Sequence, residues 1–194
     1  MVANLARVWS ARLIEPIARF LGSLGLSPNA VTILGFFLTV AVAGVLATGR
    51  LLLAGLLLTV TLAFDAVDGT LARISGQTTR FGAFLDSTLD RWAEVAMFVA
   101  IVWLYVDTDN DLGVILAVLA LSMSLLVSYT RARAEGIGLE CKEGILTRFE
   151  RMVILIIGLV VGQLIWALAI IAALAGITAV QRILVTWQGA KATK

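Results

Sequence analysis

The stretch FDAVDGTLARISGQTTRFGAFLDSTLDRWAE, from Phe64 to Glu94, places four aspartates between two strongly apolar segments. LLLAGLLLTVTLAF leads into this stretch and VAMFVAIVWLY follows it. The aspartates are Asp65, Asp68, Asp86 and Asp90. A carboxylate at the centre of a bilayer costs about 2.5–3.5 kcal/mol, and charges inside membrane segments usually mark function. The four carboxylates therefore indicate a functional site between the two apolar segments.

The amino-acid composition indicates a membrane protein. The chain of 194 residues is 60% hydrophobic and 14% charged, with a mean hydropathy of +1.00. A soluble domain of this length has too little interior to hide so much apolar surface. We predict an all-α polytopic membrane protein and expect no nucleic-acid partner. The sequence has no histidine, which excludes mechanisms that need an imidazole base or ligand.

Six apolar runs are close to the ~20 residues with which a helix crosses a bilayer. Local signals separate them, such as the Ser27-Pro28 pair before the first run and DTDND at 107–111. We therefore predict six transmembrane helices in a single membrane domain, residues 28–194. The predicted spans are near 29–48, 52–73, 80–106, 111–134, 146–162 and 164–187.

Residues 1–27 predict an amphipathic helix that lies in the headgroup plane before the first span. One face carries the apolar residues Leu13, Ile17, Phe20, Leu21 and Leu24. Trp9 is suited to the membrane–water interface. The same periodicity is equally compatible with a helix packed against the membrane domain.

The distribution of lysine and arginine predicts the orientation, because cytoplasmic loops are enriched in both residues. With a cytoplasmic N-terminus, that side collects the basic residues of 1–27, 73–80, 131–151 and 191–194, whereas the outer side holds Arg50 and little else. We expect an integral protein of the cell membrane. Both termini and the hairpin that carries the aspartates should face the cytoplasm.

The spacing of the four aspartates predicts two acidic helix faces that meet. Asp65 and Asp68 are three residues apart, and Asp86 and Asp90 are four apart, so each pair shares one face of its helix. The short connection ISGQTTR makes the two helices antiparallel. Carboxylate ligands without histidine favour hard cations such as Mg²⁺ or Mn²⁺, and four carboxylates can hold two ions.

Two other interpretations of the acidic cluster remain open. Arg73 and Arg91 lie close in sequence and could neutralise the aspartates in a purely structural salt-bridge network. The carboxylates could also line the path of a cation transporter or channel. Transporters often carry internal repeats, and the sequence has no second copy of the acidic hairpin.

The whole pattern resembles the signature of the CDP-alcohol phosphotransferase (CDP-alcohol phosphatidyltransferase) family. The match covers eight fixed residues in a 26-residue window, with small residues Gly69, Ala72 and Gly82 where the helices or a ligand approach. In full it is Asp65-x2-Asp68-Gly69-x2-Ala72-Arg73-x8-Gly82-x3-Asp86-x3-Asp90.

The resemblance implies a metal-dependent transfer of a substituted phosphate from a CDP-alcohol to a second alcohol, with release of CMP. In the phospholipid-making branch the donor is CDP-diacylglycerol. Asp65, Asp68, Asp86 and Asp90 would hold Mg²⁺ or Mn²⁺, two ions in all, and Asp90 would also act as the catalytic base. The implied contacts with the CDP-lipid come from Asn29, Thr32, Asp68, Gly69, Arg73 and Thr79.

A set of arginines bears on the acceptor alcohol. Converging guanidiniums suit bidentate recognition of a phosphate, although arginines near a membrane surface also serve as plain anchors to lipid phosphates. The segments SYTRARAE, RFER and QR resemble the phosphatidylinositol-phosphate synthase branch and its archaeal relatives. That resemblance implies an acceptor-phosphate pocket formed by Arg131, Arg148, Arg151 and Arg182, with Arg133 a lesser candidate.

Inositol 1-phosphate is the acceptor that this second resemblance favours, and the product would be phosphatidylinositol phosphate. Glycerol 3-phosphate, which would give phosphatidylglycerophosphate, is the closest alternative because it also carries a phosphate. The family resemblance further implies a homodimer. GLVVG at 158–162 is a small-xxx-small pattern that can pack helices within or between subunits.

Overall fold

The computed structural model describes residues 14–141 and 143–192, which form helices joined by short connections. The helix ends agree with the predicted spans to within two residues, except that the last helix continues for five residues beyond the predicted 187. The helices are α1 (14–23), α2 (Pro28–Ala47), α3 (Leu51–Ile74), α4 (Arg80–Asp107), α5 (Asp111–Glu135), α6 (Arg148–Val161) and α7 (Leu164–Ala192).

Short polar side chains start three of these helices by accepting a backbone hydrogen bond from the first turn. Ser27 Oγ accepts from the N–H of Ala30 before α2 (3.2 Å). Thr79 Oγ1 accepts from the N–H of Gly82 before α4 (2.9 Å). In the same way, Asn110 Oδ1 caps α5. These caps explain why local sequence signals predicted the helix starts.

Four of the described helices, α2, α3, α5 and α7, are long and apolar enough to cross a membrane. This confirms an all-helical, integral membrane fold. The other two predicted spans differ in kind: α6 has only 14 residues, and the first half of α4 is rich in charged side chains. The prediction of six spans therefore stays a prediction.

The described chain divides into two compact units, and the first comprises residues 14–43 and 57–97. Its apolar core brings α1, α2 and α3 together through Ala18, Val31, Val67 and Leu71. Ile17 and Phe20 of α1, and Leu24 directly after it, are exposed. The described part of the N-terminal segment thus packs one face against the rest of its unit and leaves other apolar side chains exposed. The predicted positions Trp9 and Leu13 lie outside the described residues.

The second unit comprises residues 44–56, 98–141 and 143–192. In it, α5 and α6 pack against α7. Gly162 ends α6 with a left-handed φ of 73°, so the tight join to α7 suits glycine. A Cβ on Gly158 would lie only 2.4 Å from the Cβ of Ala167 on α7. The GLVVG pattern therefore packs helices within the chain.

Candidate active site

The acidic hairpin of the first unit borders a cavity of about 270 Å³. α2, the end of α3, the connection 75–79 and the start of α4 all contribute to its wall. The cavity is lined by Asn29, Thr32, Asp68, Gly69, Ala72, Arg73, Gln77, Thr78, Thr79, Gly82, Ala83 and Asp86.

All six residues that the sequence predicted to contact a nucleotide line this single cavity. They come from three separate segments of the chain, so the tertiary fold and not sequence proximity brings them together. Sequence reasoning missed Gln77, Thr78 and Ala83. Gln77 and Thr78 directly precede Thr79 in a polar connection, and that polar run was the available signal.

The carboxylate of Asp68 is held in a fixed orientation. Asp68 is buried, with 8% of its surface exposed. Thr32 Oγ1 on α2 donates a hydrogen bond to Asp68 Oδ2 (2.7 Å). The backbone N–H of Gly69 donates to the other carboxylate oxygen, Oδ1. The two bonds direct both oxygens of this carboxylate, which is the usual way in which a buried ligand side chain is oriented.

Three residues of α2, spaced three apart, face the hairpin: Asn29, Thr32 and Gly35. A Cβ on Gly35 would lie 3.3 Å from Asp65 Oδ1, so this glycine makes room for the first aspartate. Across the cavity, a Cβ on Gly82 would lie 3.1 Å from Asn29 Oδ1 and 3.0 Å from Thr79 Oγ1. Small residues therefore allow polar side chains of neighbouring elements to come close together.

Asp65, Asp68 and Asp86 lie near one another in the first unit, but the aspartates do not close around a common point. The negative charges of Asp86 and Asp65 act on Asp68, and Asp65, Asp86 and Asp90 are half-buried. Within 14–141 and 143–192, no group of three or more acidic or cysteine side chains is close enough to hold a metal ion.

The arginines near the hairpin neutralise it in part. Arg91 Nη1 lies 3.4 Å from Asp90 Oδ2 and also donates to the carbonyl of Ser87. Arg73 Nη2 donates to Thr70 Oγ1 (3.0 Å) on its own helix, and Arg73 lines the cavity. Arg73 therefore brings a positive side chain to the wall of the cavity.

The chemistry of the donor set fits Mg²⁺ or Mn²⁺. The available ligands are carboxylate oxygens, which these cations prefer. Asp68 and Asp86, one from each helix of the hairpin, line the same cavity.

The arginines predicted to bind the acceptor phosphate lie in the second unit, and they differ in exposure. Arg151 and Arg182 are 1% and 3% exposed, which is rare for arginine. Arg148 is half-buried, whereas Arg131 and Arg133 are exposed. Burial of two guanidiniums is costly unless each has specific polar partners.

Three of these arginines are grouped electrostatically: the positive charges of Arg131 and Arg151 both act on Arg182. Arg182 donates from Nε to the carbonyl of Glu143 (3.0 Å) and from Nη1 to the carbonyl of Val127. Arg131 Nε forms an ion pair with Glu135 Oε1 (2.8 Å). Arg182 is therefore held by the backbone of two other segments, α5 and the connection to α6.

Arg133 and Arg182 also line a second cavity, of about 310 Å³, between α5 and α7.

The connection between α5 and α6 contains Cys141, which is fully buried. The sequence around Cys141 is polar, yet the side chains of Cys141 and Leu146 are buried in the unit. Tertiary packing of the loop, which hydropathy does not reveal, is the reason.

The chain is similar to a family model and to proteins of known activity. The family model described as CDP-alcohol phosphatidyltransferase matches residues 25–188 of this chain. The archaetidylinositol phosphate synthase of Methanothermobacter thermautotrophicus is 37% identical over 186 residues, which cover 93% of this chain and 91% of the relative. The phosphatidylinositol phosphate synthase of Mycobacterium tuberculosis is 37% identical over 199 residues, which cover 94% of this chain and 89% of the relative.

Crystal structures of the Mycobacterium tuberculosis phosphatidylinositol phosphate synthase are also similar. Its complex with CDP-DAG matches with a TM-score of 0.85 at 36% identity, covering 91% of this chain and 94% of that one. Its complex with manganese and citrate matches with a TM-score of 0.85, covering 90% and 88%. The family model covers most of the chain, and the acidic signature lies inside it. The chain therefore belongs to the CDP-alcohol phosphatidyltransferase family.

Proposed function

We propose that this protein transfers the phosphatidyl group of CDP-diacylglycerol to inositol 1-phosphate, giving phosphatidylinositol phosphate and CMP. Two relatives at 37% identity, one archaeal and one bacterial, are named as inositol phosphate lipid synthases. Their names differ in the lipid, which is archaetidyl in one and phosphatidyl in the other, and agree in the inositol phosphate headgroup. The agreement supports an inositol phosphate acceptor more strongly than any one lipid backbone of the donor.

The single observation that carries the proposal is the cavity beside the acidic hairpin. Six residues expected to contact a cytidine diphosphate line it together with Asp86. Gly69 allows a ligand to approach the backbone closely, the hydroxyl of Thr79 offers a neutral contact, and Arg73 offers a positive charge for a pyrophosphate. A wall that combines these groups with carboxylates suits a nucleotide bound together with divalent cations.

Mg²⁺ or Mn²⁺ held by Asp65, Asp68, Asp86 and Asp90 would supply charge neutralisation for the pyrophosphate and for the departing CMP. Support for this cofactor comes from the oxygen-only donor set and from the relative solved with manganese. Thr32 and the N–H of Gly69 orient the carboxylate of Asp68 for that task.

Asp90 is the residue proposed to receive the proton of the acceptor hydroxyl. As that proton leaves, the hydroxyl oxygen bonds to the phosphorus that carries the diacylglycerol, and the bond from that phosphorus to the oxygen of CMP breaks. Phosphoryl transfer depends mainly on positioning and on neutralisation of charge. Arg91 Nη1 lies 3.4 Å from Asp90 Oδ2 and pairs with this carboxylate.

The acceptor phosphate is proposed to bind the arginines of the second unit, of which Arg151 and Arg182 are the buried members. Free inositol, serine and choline carry no phosphate for these guanidiniums to bind. Glycerol 3-phosphate shares the phosphate and is the acceptor against which inositol 1-phosphate has to be compared.

We further propose that the chain has six membrane spans, with α1 and the residues before it at the membrane surface. The exposed apolar side chains Ile17, Phe20 and Leu24 support contact of α1 with lipid. The lysine and arginine distribution supports a cytoplasmic active site and cytoplasmic termini in a plasma-membrane protein. A homodimer is proposed from family membership alone.

The deciding experiment is a panel assay with purified protein, CDP-diacylglycerol, and Mg²⁺ or Mn²⁺. We expect CMP release with inositol 1-phosphate, less with glycerol 3-phosphate, and none with free inositol or serine. A preference for glycerol 3-phosphate would reassign the acceptor. Cation flux in liposomes without CMP release from any donor would instead favour a transporter.

A further inference from the structure

The connection between α5 and α6 is fixed to α7 by hydrogen bonds on both sides of Gly144. Thr178 of α7 is fully buried, and its Oγ1 accepts a bond from the N–H of Leu146 (3.1 Å). One turn further along α7, Arg182 Nε donates to the carbonyl of Glu143 (3.0 Å). Two side chains of one helix thus bind the backbone of the segment 143–147.

Gly144 lies directly on the surface of α7. Its φ is +143°, a conformation that residues with a side chain rarely adopt. A Cβ at this position would come within 2.8 Å of Thr178 Cγ2 and 3.3 Å of Arg182 Nε. The segment therefore approaches α7 more closely than any residue other than glycine would allow.

The same anchor determines where α6 begins. Leu146 is 2% exposed and packs with Val127, Ala175 and Ala179. The next residue, Thr147, is the N-cap of α6, and its N–H donates to Glu150 Oε2 (2.8 Å). Only Thr147 separates the anchored residue from the first helical residue, so a shift of the anchor would shift the first turn of α6.

That first turn carries Arg148 and Arg151. Arg151 is almost fully buried, and its charge acts on Arg182. Arg182 itself is one of the two anchors of the segment. The direction in which Arg151 and Arg182 present their guanidiniums to an anion therefore depends on the contact between 143–147 and α7.

We propose that Thr178 is a positioning residue for the acceptor-phosphate arginines: its hydroxyl holds Leu146, and through it the first turn of α6, so that Arg151 and Arg182 bind one phosphate. The inference rests on the proposed function, since it assigns these arginines to the acceptor. Thr178 makes no contact with the substrate in this scheme.

The test compares Thr178→Val, which keeps the shape of the side chain but removes the hydroxyl, with Thr178→Ser, which keeps the hydroxyl. Thr178→Val should raise the KM for inositol 1-phosphate about tenfold, a size expected from one lost buried hydrogen bond. The KM for CDP-diacylglycerol should stay unchanged, and Thr178→Ser should behave like the wild type. Gly144→Ala, which leaves the hydroxyl in place, should raise the same KM.

Thr186→Val is the matched control, because the hydroxyl of Thr186 donates to the carbonyl of Arg182 in its own helix (2.7 Å). This variant should leave both KM values unchanged. Equal shifts of the two KM values in Thr178→Val, or a Thr178→Ser variant as impaired as Thr178→Val, would overturn the inference.

A second measurement separates this inference from the proposed function. Hydrogen exchange of the Leu146 amide should be faster in Thr178→Val than in the wild type and in Thr178→Ser. If the wild type releases no CMP with either phosphorylated acceptor, the proposed function fails. In that case the role of Thr178 is tested by two comparisons of Thr178→Val with the wild type. They are hydrogen exchange at the Leu146 amide and calorimetric binding of inositol 1-phosphate. Unchanged exchange or unchanged binding in Thr178→Val would contradict that role.

Discussion

At the scale of single residues, Asp90 is the aspartate whose role is most easily separated from binding. It does not line the cavity that holds Asp68 and Asp86, and its carboxylate faces Arg91. Asp90→Asn should lower turnover by about 10²–10⁴-fold, the usual contribution of a general base. Binding of CDP-diacylglycerol, measured by calorimetry, should persist.

Asp107→Asn is the control for this substitution, because Asp107 is an exposed residue at the far end of the same helix. It should leave turnover unchanged. Loss of CDP-diacylglycerol binding in Asp90→Asn at normal metal occupancy would show that Asp90 contacts the donor and is not only a base.

Thr32 gives a second residue-scale prediction, because its hydroxyl donates to Asp68 Oδ2 at 2.7 Å. Thr32→Val keeps the shape and removes the donor, so the carboxylate loses one of its two orienting bonds. The affinity for Mn²⁺ should fall about 10-fold or more, as is usual when a partner of a metal ligand is lost. Electron paramagnetic resonance of Mn²⁺ titrated into the nucleotide-free protein measures this directly.

Thr32→Ser keeps the hydroxyl and should retain the Mn²⁺ affinity of the wild type. If Thr32→Val binds Mn²⁺ normally but binds CMP more weakly, Thr32 acts on the nucleotide and not on the metal site. The two results are distinguishable because the metal titration is done without nucleotide.

The residues of the site were predictable to different degrees. The aspartates stand out because charge in an apolar run is expensive, and their spacing alone assigns them to shared helix faces. Asn29 and Thr32 were found only through the family resemblance. Gly35 was not found, since its contact with Asp65 depends on how α2 packs against α3. Such tertiary contacts leave no periodic signal in the sequence.

At the scale of elements, the packing of α6 against α7 depends on the lack of a Cβ at Gly158. A Cβ there would lie 2.4 Å from the Cβ of Ala167, so Gly158→Ala must push the two helices apart. Overpacking of this kind costs about 1–3 kcal/mol. The thermal unfolding midpoint of the purified protein in detergent should fall accordingly.

Gly176→Ala on α7 is the matched control, because the nearest atom to a Cβ at that position is Met123 Sδ at 3.7 Å, an ordinary contact. It should leave the midpoint unchanged or raise it slightly through better helix propensity. An equal fall in both variants would mean that the helices respond to the substitution of any glycine and not to this contact.

The helix ends of this protein were predictable because they are set locally. Ser27, Thr79 and Asn110 cap the helices that follow them, and Gly162 ends α6. The connection 136–147 was not predictable in the same way. Its sequence is polar, but Arg182 and Thr178, which are more than thirty residues away in the chain, hold its end against α7.

At the scale of the whole molecule, helix length and charge distribution predict different numbers of membrane crossings. α6 has 14 residues, or about 21 Å at 1.5 Å per residue, which is shorter than the ~30 Å hydrocarbon core. α4 has 28 residues, but Asp86, Asp90 and Glu94 lie in its first 15. Length and composition therefore select four helices, while the alternation of basic and acidic connections favours six.

The two alternatives place the same connections on opposite sides of the membrane. With six spans, 108–110 is outside and 136–147 is cytoplasmic. If only α2, α3, α5 and α7 cross, 108–110 is cytoplasmic and 136–147 is outside. The segment 131–151 carries Arg131, Arg133, Arg148 and Arg151, whereas 107–111 carries three aspartates. Basic residues stay on the cytoplasmic side, so the charge distribution predicts six spans.

Thiol labelling of intact cells can decide between these topologies, because Cys141 is the single cysteine of the chain and is fully buried. In a Cys141→Ser background, Thr108→Cys and Glu143→Cys place new thiols at exposed positions of the two connections. With six spans, a membrane-impermeant maleimide should label the first variant in intact cells and the second only after permeabilisation. The reverse pattern would leave α4 and α6 on one side of the membrane, and it would remove the charge argument for a cytoplasmic active site.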